Sequence, residues 1–453
     1  MVPVLTPDEM AAVDAAAPEP TDVLVERAGA AVARTALRLL GGAYGRRVVV
    51  PAGKGNNGAD GRAAAARLRR RGVRAQVVDA AGAPAALPAS DLVIDAAYGT
   101  GFRGEYTPPD PGGAPVLAVD IPSGVDGATG SAHGHPLPAE VTVTFAALKP
   151  GLLFPPGRDL AGDVVLADIG LDVSRATAYV VEPDDVAAWV PDRPSDAHKW
   201  RSAVVLAAGS AGMTGAAHLA ARAALRAGAG MVRVASPGVN HDSALPTEAV
   251  GLALPAAGWD DAVLDQLDRA GALVLGPGLG RSAPTVTAVH HLAQAAPVPL
   301  LVDGDGLWAL GEDAAELLGK RAHPTVLTPH DGEFSRLAGH PPGADRIGAA
   351  RDLAAATGAV VLLKGPTTVV AHPDGRARLS VAGDARLATA GTGDVLSGVV
   401  GALMAQGLDP FDAAAAGAWL HGTAATEHGP PRGLVASDLV DALPAVLEDL
   451  GAG

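Results

Sequence analysis

The chain contains no cysteine, which excludes disulfide frameworks, thiol nucleophiles and every zinc site built on thiolates. Any metal must be held by oxygen or imidazole. Aromatic residues make up only 3%, too few for base-stacking platforms or aromatic-lined sugar clefts. Basic residues number 34 against 49 acidic, a net charge of −15 with no basic stripe, so a phosphate backbone would meet a repulsive field. Polymeric nucleic acid is not an expected partner. Long apolar runs are also missing. The 48% of hydrophobic residues fall in short runs broken by Gly, Pro or charge, whereas a bilayer span needs ~18 or more unbroken apolar residues. No membrane span is expected. Asp8, Glu9 and Asp14 stand where a secretory signal would be basic and then apolar, and a cytoplasmic location is expected. Lysine is scarce as well: five are present, at positions 54, 149, 199, 320 and 364, and three sit in Gly-rich motifs.

What is present is two successive α/β patterns. A length of 453 residues is a prior for two or three domains at ~150 residues each. In the first half, β-branched runs at 47–51, 73–78, 92–95, 116–121, 141–145 and 164–169 alternate with helical stretches near 21–40 and 61–71. Continuous rather than alternating apolar runs suit parallel strands buried on both faces, so a doubly wound, Rossmann-like domain is expected. Around 182–199 the pattern lapses into Asp- and Pro-rich sequence, and a boundary is expected between 170 and 195. The second half resumes with strands near 203–207, 231–235, 273–275, 300–303, 325–327 and 360–363, followed by Ala-rich helices.

Gly-rich loops follow the strand ends, where open α/β sheets bind ligands. The run Gly53-Lys54-Gly55-Asn56-Asn57-Gly58-Ala59-Asp60-Gly61 brings backbone N–H groups toward an anion and adds side-chain oxygens that a plain turn does not require. Asp95 to Gly101 and Asp120 to Gly130 are two further acidic strand ends running into Gly turns. Asn57, Asp120 and an oxygen from Glu140-Val141-Thr142 form a candidate hard-oxygen cation site. Lys149 reads equally as a phosphate partner or as a solvated loop charge.

In the second half, Gly209 to Gly215 and Gly276 to Gly280 are Gly loops after strands, and His330 reads as a helix cap or a ligand contact. The most specific element is Gly391-Thr392-Gly393-Asp394, opening a long helix. A carboxylate beside oxyanion-holding N–H groups suits proton removal from a hydroxyl that attacks phosphorus. Lys364 to Thr368 add a lysine and hydroxyls where a nucleotide would lie.

These motifs resemble known families over nearly the whole chain. Residues 1–175 resemble the YjeF N-terminal, NAD(P)H-hydrate epimerase family in GKGNNGADG, DAAYGTG, VDIPSGVDGATG and TVTFAALKPGL. Residues 176–453 resemble the ribokinase-like, ADP-dependent NAD(P)H-hydrate dehydratases in AAGSAGMTGAA, LGPGLG, LTPHDGEF, LKGPTTVV and ATAGTGDVLSG. The resemblance implies a Rossmann-like domain followed by a ribokinase-like α/β domain. It implies epimerisation of the R and S hydrates NADHX and NADPHX, and dehydration of the S hydrate with ADP as co-substrate, releasing AMP and phosphate.

By motif, Asn56, Asn57, Gly58, Ala59 and Asp60 would hold the hydrated dinucleotide, with Gly124, Val125, Asp126, Gly127, Ala128, Thr129, Gly130 and Glu140 as further contacts. Asn57, Asp120 and Thr142 would hold potassium, and Asp60 and Asp120 are the expected catalytic carboxylates. In the second domain Ala216, Gly278, His330 and Asp394 would meet the hydrate. Lys364, Gly365, Pro366, Thr367, Thr368 and Gly393 would hold the adenine nucleotide, with magnesium, and Asp394 would be the base. A homo-oligomer is expected.

Four positions depart from the pattern. Ala59 replaces a glycine and is expected to cost the loop a permissive φ, and Asp384 replaces an asparagine and is expected to repel phosphates. Gly304 lies in an altered D-G-D-G, and Ser202 follows the His-Lys pair. A true small-molecule kinase is the alternative reading of the second half, and a non-catalytic sensing module that of the first.

Overall fold

In the computed structural model, which describes residues 1–451, the chain divides into two units, Val2–Ala178 and Tyr179 onward, with Met1 grouped with the second. No helix among the described residues is long and apolar enough to cross a membrane.

The first unit holds a parallel six-stranded sheet in the spatial order Arg74–Asp79, Arg47–Ala52, Leu92–Asp95, Val116–Val119, Val141–Phe145, Asp163–Ala167. Central strands such as Leu92–Asp95 and Val116–Val119 are buried at every position, which is why their sequences do not alternate. Chain order reverses between Arg47–Ala52 and Leu92–Asp95, a switch point that leaves a crevice at the carboxyl ends of the strands. Helix Asn56–Arg70 begins five residues before the sequence pattern implies, so Asn57 and Asp60 stand on its first turns rather than in a loop. Ala59 is therefore helical, its N–H bonded to the Gly55 carbonyl at 3.0 Å, and the expected loss of a permissive φ does not arise. Strand Val116–Val119 stops short of Ile121 because Asp120 takes φ +67°.

The sheet of the second unit runs in the order Ala377–Ser380, Thr368–Ala371, Val360–Leu363, Thr325–Leu327, Leu300–Val302, Ala272–Leu275, Ala203–Ala207, Met231–Ala235, Ala249–Leu252. The seven strands from Val360–Leu363 to Ala249–Leu252 are parallel, and Thr368–Ala371 and Ala377–Ser380 are antiparallel additions. The sheet packs on the helices Thr214–Arg226, Thr392–Ala405, Pro410–Glu427 and Ala436–Asp449 through one apolar cluster rich in Ala, Val and Leu. Chain order reverses between Ala203–Ala207 and Ala272–Leu275, and the Gly209 and Gly276–Gly280 loops meet there.

Candidate active sites

In the first unit the crevice at the switch point is a cleft of about 840 Å³, lined by Asp14, Asn56, Asn57, Asp60, Tyr98, Asp120 and Lys149 among others. Its floor depends on glycine: a Cβ on Gly53 would collide with the Ala97 carbonyl of the neighbouring loop. Asp95, fully buried, ties the second and third loops together. Its Oδ2 accepts the Ser123 N–H at 2.9 Å and its Oδ1 the Ser123 hydroxyl at 2.7 Å. The Asp120 backbone conformation is a strained one for a non-glycine residue, at a cost of about 1–3 kcal/mol, and such strain gathers at functional positions.

Asp120 is held by its neighbours. The Lys149 ammonium lies 2.7 Å from its Oδ1, and the Thr144 hydroxyl donates to the same oxygen at 3.1 Å. Lys149 is 1% exposed, so neither a phosphate-binding nor a solvated-loop role describes it. A methyl group at Gly99 would lie 3.4 Å from the Asn57 side-chain carbonyl carbon and 3.7 Å from Asp120 Oδ2, so both side chains border the Gly99 backbone. Both polar atoms of the buried Asn57 side chain lack a hydrogen-bond partner. A buried, orphaned amide oxygen in the same part of the cleft as a carboxylate fits an oxygen-ligated cation.

Above them, burial pushes the Asp60 carboxyl up to about 8, with the nearby charges of Asp120 and Asp14 adding to the rise. At neutral pH Asp60 therefore carries a proton. Asp14 is raised by burial as well, and by Asp120; the sequence patterns did not single it out, because it lies on the separate helix Pro7–Ala16.

Three groups of expected contacts, Thr142, Glu140 and the Gly124–Gly130 loop, lie outside the cleft lining. The Thr142 hydroxyl, fully buried and outside the cleft lining, donates to the Ala161 carbonyl at 2.6 Å, and Thr144, two residues nearer the carboxyl end, is the threonine that reaches Asp120. Glu140 precedes strand Val141–Phe145 at the amino edge of the sheet, with its N–H bonded to Val116. That edge is roughly 16 Å of strand away from the cleft. The loop from Gly124 through Val125, Asp126, Gly127, Ala128 and Thr129 to Gly130 backs the cleft wall rather than lining it. A methyl on Gly127 would press on Thr100, and Asp126 Oδ1 accepts the N–H groups of Ala128 and Thr129, both at 2.9 Å.

In the second unit the carboxyl ends of the seven parallel strands point to one edge. Gly278, at φ +64°, packs so closely that a methyl would lie 2.9 Å from both Ala216 Cβ and the Met213 carbonyl. Only glycine allows the two loops to touch. Across the site, Asp303 Oδ1 is 2.9 Å from Lys364 Nζ and its Oδ2 accepts the Ser397 hydroxyl at 2.7 Å. Burial alone would raise Asp303, but the Lys364 ammonium and the Ser397 hydroxyl hold it below the usual carboxylate range. Burial likewise works against the Lys364 charge, and the Asp303 and Glu333 carboxylates override it and raise its pKa. Glu333, 3.7 Å from Lys364, is raised by burial.

Burial pushes Asp394 up to about 7, with Asp303 the next cause. A methyl on Gly393 would lie 3.6 Å from Lys364 Nζ and 3.7 Å from Asp303 Oδ2, so the first turn of helix Thr392–Ala405 faces the same group of charges. His330 caps helix Asp331–Ala338, its Nδ1 accepting the Gly332 and Glu333 N–H groups at 3.0 and 3.2 Å while the side chain stays 60% exposed. Gly365, Pro366 and Thr367 form the turn from Lys364 into strand Thr368–Ala371. Asp384 is not a bare charge. It caps Ala385–Leu387 and pairs bidentately with the Arg386 guanidinium at 2.8–3.0 Å, which sets a compensating positive charge beside it.

Comparison with known proteins agrees with both halves. The profile for NAD(P)H-hydrate dehydratase matches residues 204–444, and that for YjeF-related protein N-terminus matches 21–87 and 78–151. A bifunctional NAD(P)H-hydrate repair enzyme of Moorella thermoacetica is 39% identical, covering 95% of this chain and 93% of its own. One of Mycobacterium tuberculosis is 43% identical over 83% of this chain and 82% of its own. Among solved structures, the ADP/ATP-dependent NAD(P)H-hydrate dehydratase of Bacillus subtilis, co-crystallised with ATP and Mg²⁺, is 33% identical with a TM-score of 0.53, covering 60% of this chain and 98% of that one. With both halves matched in order and nearly end to end, the chain belongs to the family of bifunctional NAD(P)H-hydrate repair enzymes.

Proposed function

We propose that the chain performs both reactions of that family on hydrated nicotinamide cofactors: epimerisation in the first unit and nucleotide-dependent dehydration in the second. The observation that carries this reading is a carboxyl group lifted to the neutral range at each strand-end site, Asp60 at about 8 and Asp394 at about 7. Groups poised near the working pH exchange protons most effectively.

In the first site the protonated Asp60 donates to the hydroxyl on the hydrated ring carbon; the C–O bond breaks with water leaving and the ring nitrogen lone pair stabilising the cation, and water re-adds to either face, returning its proton to Asp60. Potassium fits the Asn57 and Asp120 oxygens, and when bound it supplies fixed positive charge beside the substrate. In the second site Asp394 takes the proton from the hydrate hydroxyl as that oxygen attacks the terminal phosphorus of the nucleotide. The phosphorylated oxygen then leaves with its bonding electrons, the neighbouring carbon gives up a proton, and the dihydropyridine double bond is restored. A kinase-like fold suits this dehydration because phosphorylation turns a poor leaving group into a good one.

ADP is the proposed co-substrate, with AMP and phosphate as products. Asp303, Glu333 and Asp394 outnumber the single Lys364 ammonium among them, and this excess of carboxylate fits a magnesium ion carried in with the nucleotide. A cytoplasmic location accompanies the proposal. The test is recovery of dihydronicotinamide absorbance from a mixed R/S hydrate, with and without ADP. Full recovery only with ADP is expected. A stable phosphate ester in place of inorganic phosphate would replace this reading with that of a small-molecule kinase.

A further inference from the structure

Lys149 lies at the first site, yet its ammonium is engaged within the protein. It donates to the Thr144 hydroxyl at 2.9 Å and to the Phe145 carbonyl at 3.0 Å, and forms an ion pair with Asp120 Oδ1 at 2.7 Å. With its ammonium held by these three oxygens and a side chain 2% exposed, it acts on the site from within the protein rather than as a proton donor to substrate. Its effect on the site comes from its charge and from the position it gives Asp120. The Thr144 hydroxyl, which accepts from Lys149, donates in turn to Asp120, so the lysine grips one carboxylate oxygen directly and through a relay. The other oxygen, Oδ2, borders the Gly99 backbone, as does the Asn57 side chain.

Charge counting then constrains what the pocket between Asn57 and Asp120 can hold. Asp120 contributes one negative charge, and the Lys149 ammonium 2.7 Å from its Oδ1 offsets it. Of the remaining charges at the cleft, two are opposite in sign: Asp14, on the separate helix Pro7–Ala16 and only partly shielded from solvent, and the exposed Lys54. The immediate donor set is thus an amide oxygen and one oxygen of a neutralised carboxylate. Calcium and magnesium sites gather several carboxylates to offset the dehydration of a doubly charged ion, whereas the carboxylate beside Asn57 here is already paired with an ammonium. A singly charged, weakly hydrated ion is the better match.

From this geometry we infer that Lys149 is a positioning residue that sets the valence of the cation site, restricting it to monovalent ions by neutralising Asp120 in advance. The inference rests on the potassium reading above and goes beyond it.

The test is binding rather than turnover. Thallium(I), a monovalent probe, is titrated into the full chain and followed by thallium NMR linewidth, then displaced with K⁺ or Ca²⁺. In the unaltered protein K⁺ should displace thallium and Ca²⁺ should not compete within the same concentration range. In Lys149→Met, Ca²⁺ should compete at a concentration at least about tenfold lower, because a divalent ion gains twice what a monovalent ion gains when a neighbouring positive charge is removed. Lys149→Gln, which keeps a hydrogen-bond donor and removes only the charge, should show the same gain and serves if the Met variant does not fold. Thr144→Val retains the charge and should retain the monovalent preference.

Two results overturn the inference in distinguishable ways. Absence of any thallium binding that is lost in Asn57→Ala removes the potassium reading and this inference with it. Thallium binding with Ca²⁺ competing equally in the unaltered and Lys149 variants leaves the cation site standing and overturns the role of Lys149 alone.

Discussion

Replacing Asp394 by asparagine tests the second site most directly, because the structure sets both the size and the pH dependence of the effect. The carboxyl is pushed up to about 7 from a usual 3.8, first by burial and then by the Asp303 charge. A general base with that pKa is about one tenth ionised at pH 6 and about nine tenths at pH 8, so dehydration should rise roughly tenfold across this range. An unperturbed carboxylate would give a flat profile over the same interval. The assay is recovery of dihydronicotinamide absorbance from pure S hydrate at saturating nucleotide, which bypasses the first unit. Asp394→Asn should bind nucleotide normally and dehydrate on the order of 10²-fold or more slowly at pH 8. Asp303→Asn should move the rise toward lower pH, since it removes a like charge and leaves the Lys364 ammonium uncompensated beside Asp394. Near-normal turnover in the Asn variant, or a pH-independent rate between pH 6 and 8 in the unaltered protein, would refute the assignment.

The other expectations follow from the same geometry. Asp120→Ala should leave dehydration of pure S hydrate intact while slowing use of the R epimer, read from the two phases of absorbance recovery in a mixed hydrate. Because Asp60 is proposed to act in its protonated form with a pKa of about 8, enzymatic epimerisation should fall as pH rises through that value, and chiral separation of the hydrates across pH 6.5–9.5, a range of about 1.5 units either side, would measure it. Gly278→Ala should abolish substrate use in the second site with the first unaffected, since its methyl would press on Ala216 and the Met213 carbonyl at 2.9 Å in a left-handed backbone. Asp384→Asn should change nucleotide affinity by less than about twofold in equilibrium binding, as Arg386 already neutralises the carboxylate; a tenfold gain would restore the idea that it repels phosphate.

Local features of the sequence determined a good deal. Continuous β-branched runs marked the parallel strands, and the glycines at their carboxyl ends marked both sites, because a backbone turn and its permissive φ are written in adjacent residues. The order of those loops was enough to carry the family. Tertiary structure decided the rest. Thr142 and Thr144 share one strand face by their spacing of two. Only the register pairing Ala118 with Thr142 and Val119 with Val143 sets Thr144 level with Asp120. The same alignment leaves Glu140 at the opposite edge of the sheet. Ala59 is harmless because the helix begins before it, and Asp384 because Arg386 folds back onto it. Lys149, two residues before a glycine in a loop, reads locally as an ordinary surface charge, and its counter-ion comes from a different strand end. Asp60 and Asp394 were legible as residues, but their proton affinities were not, since burial and neighbouring charge arise only when separate elements pack together.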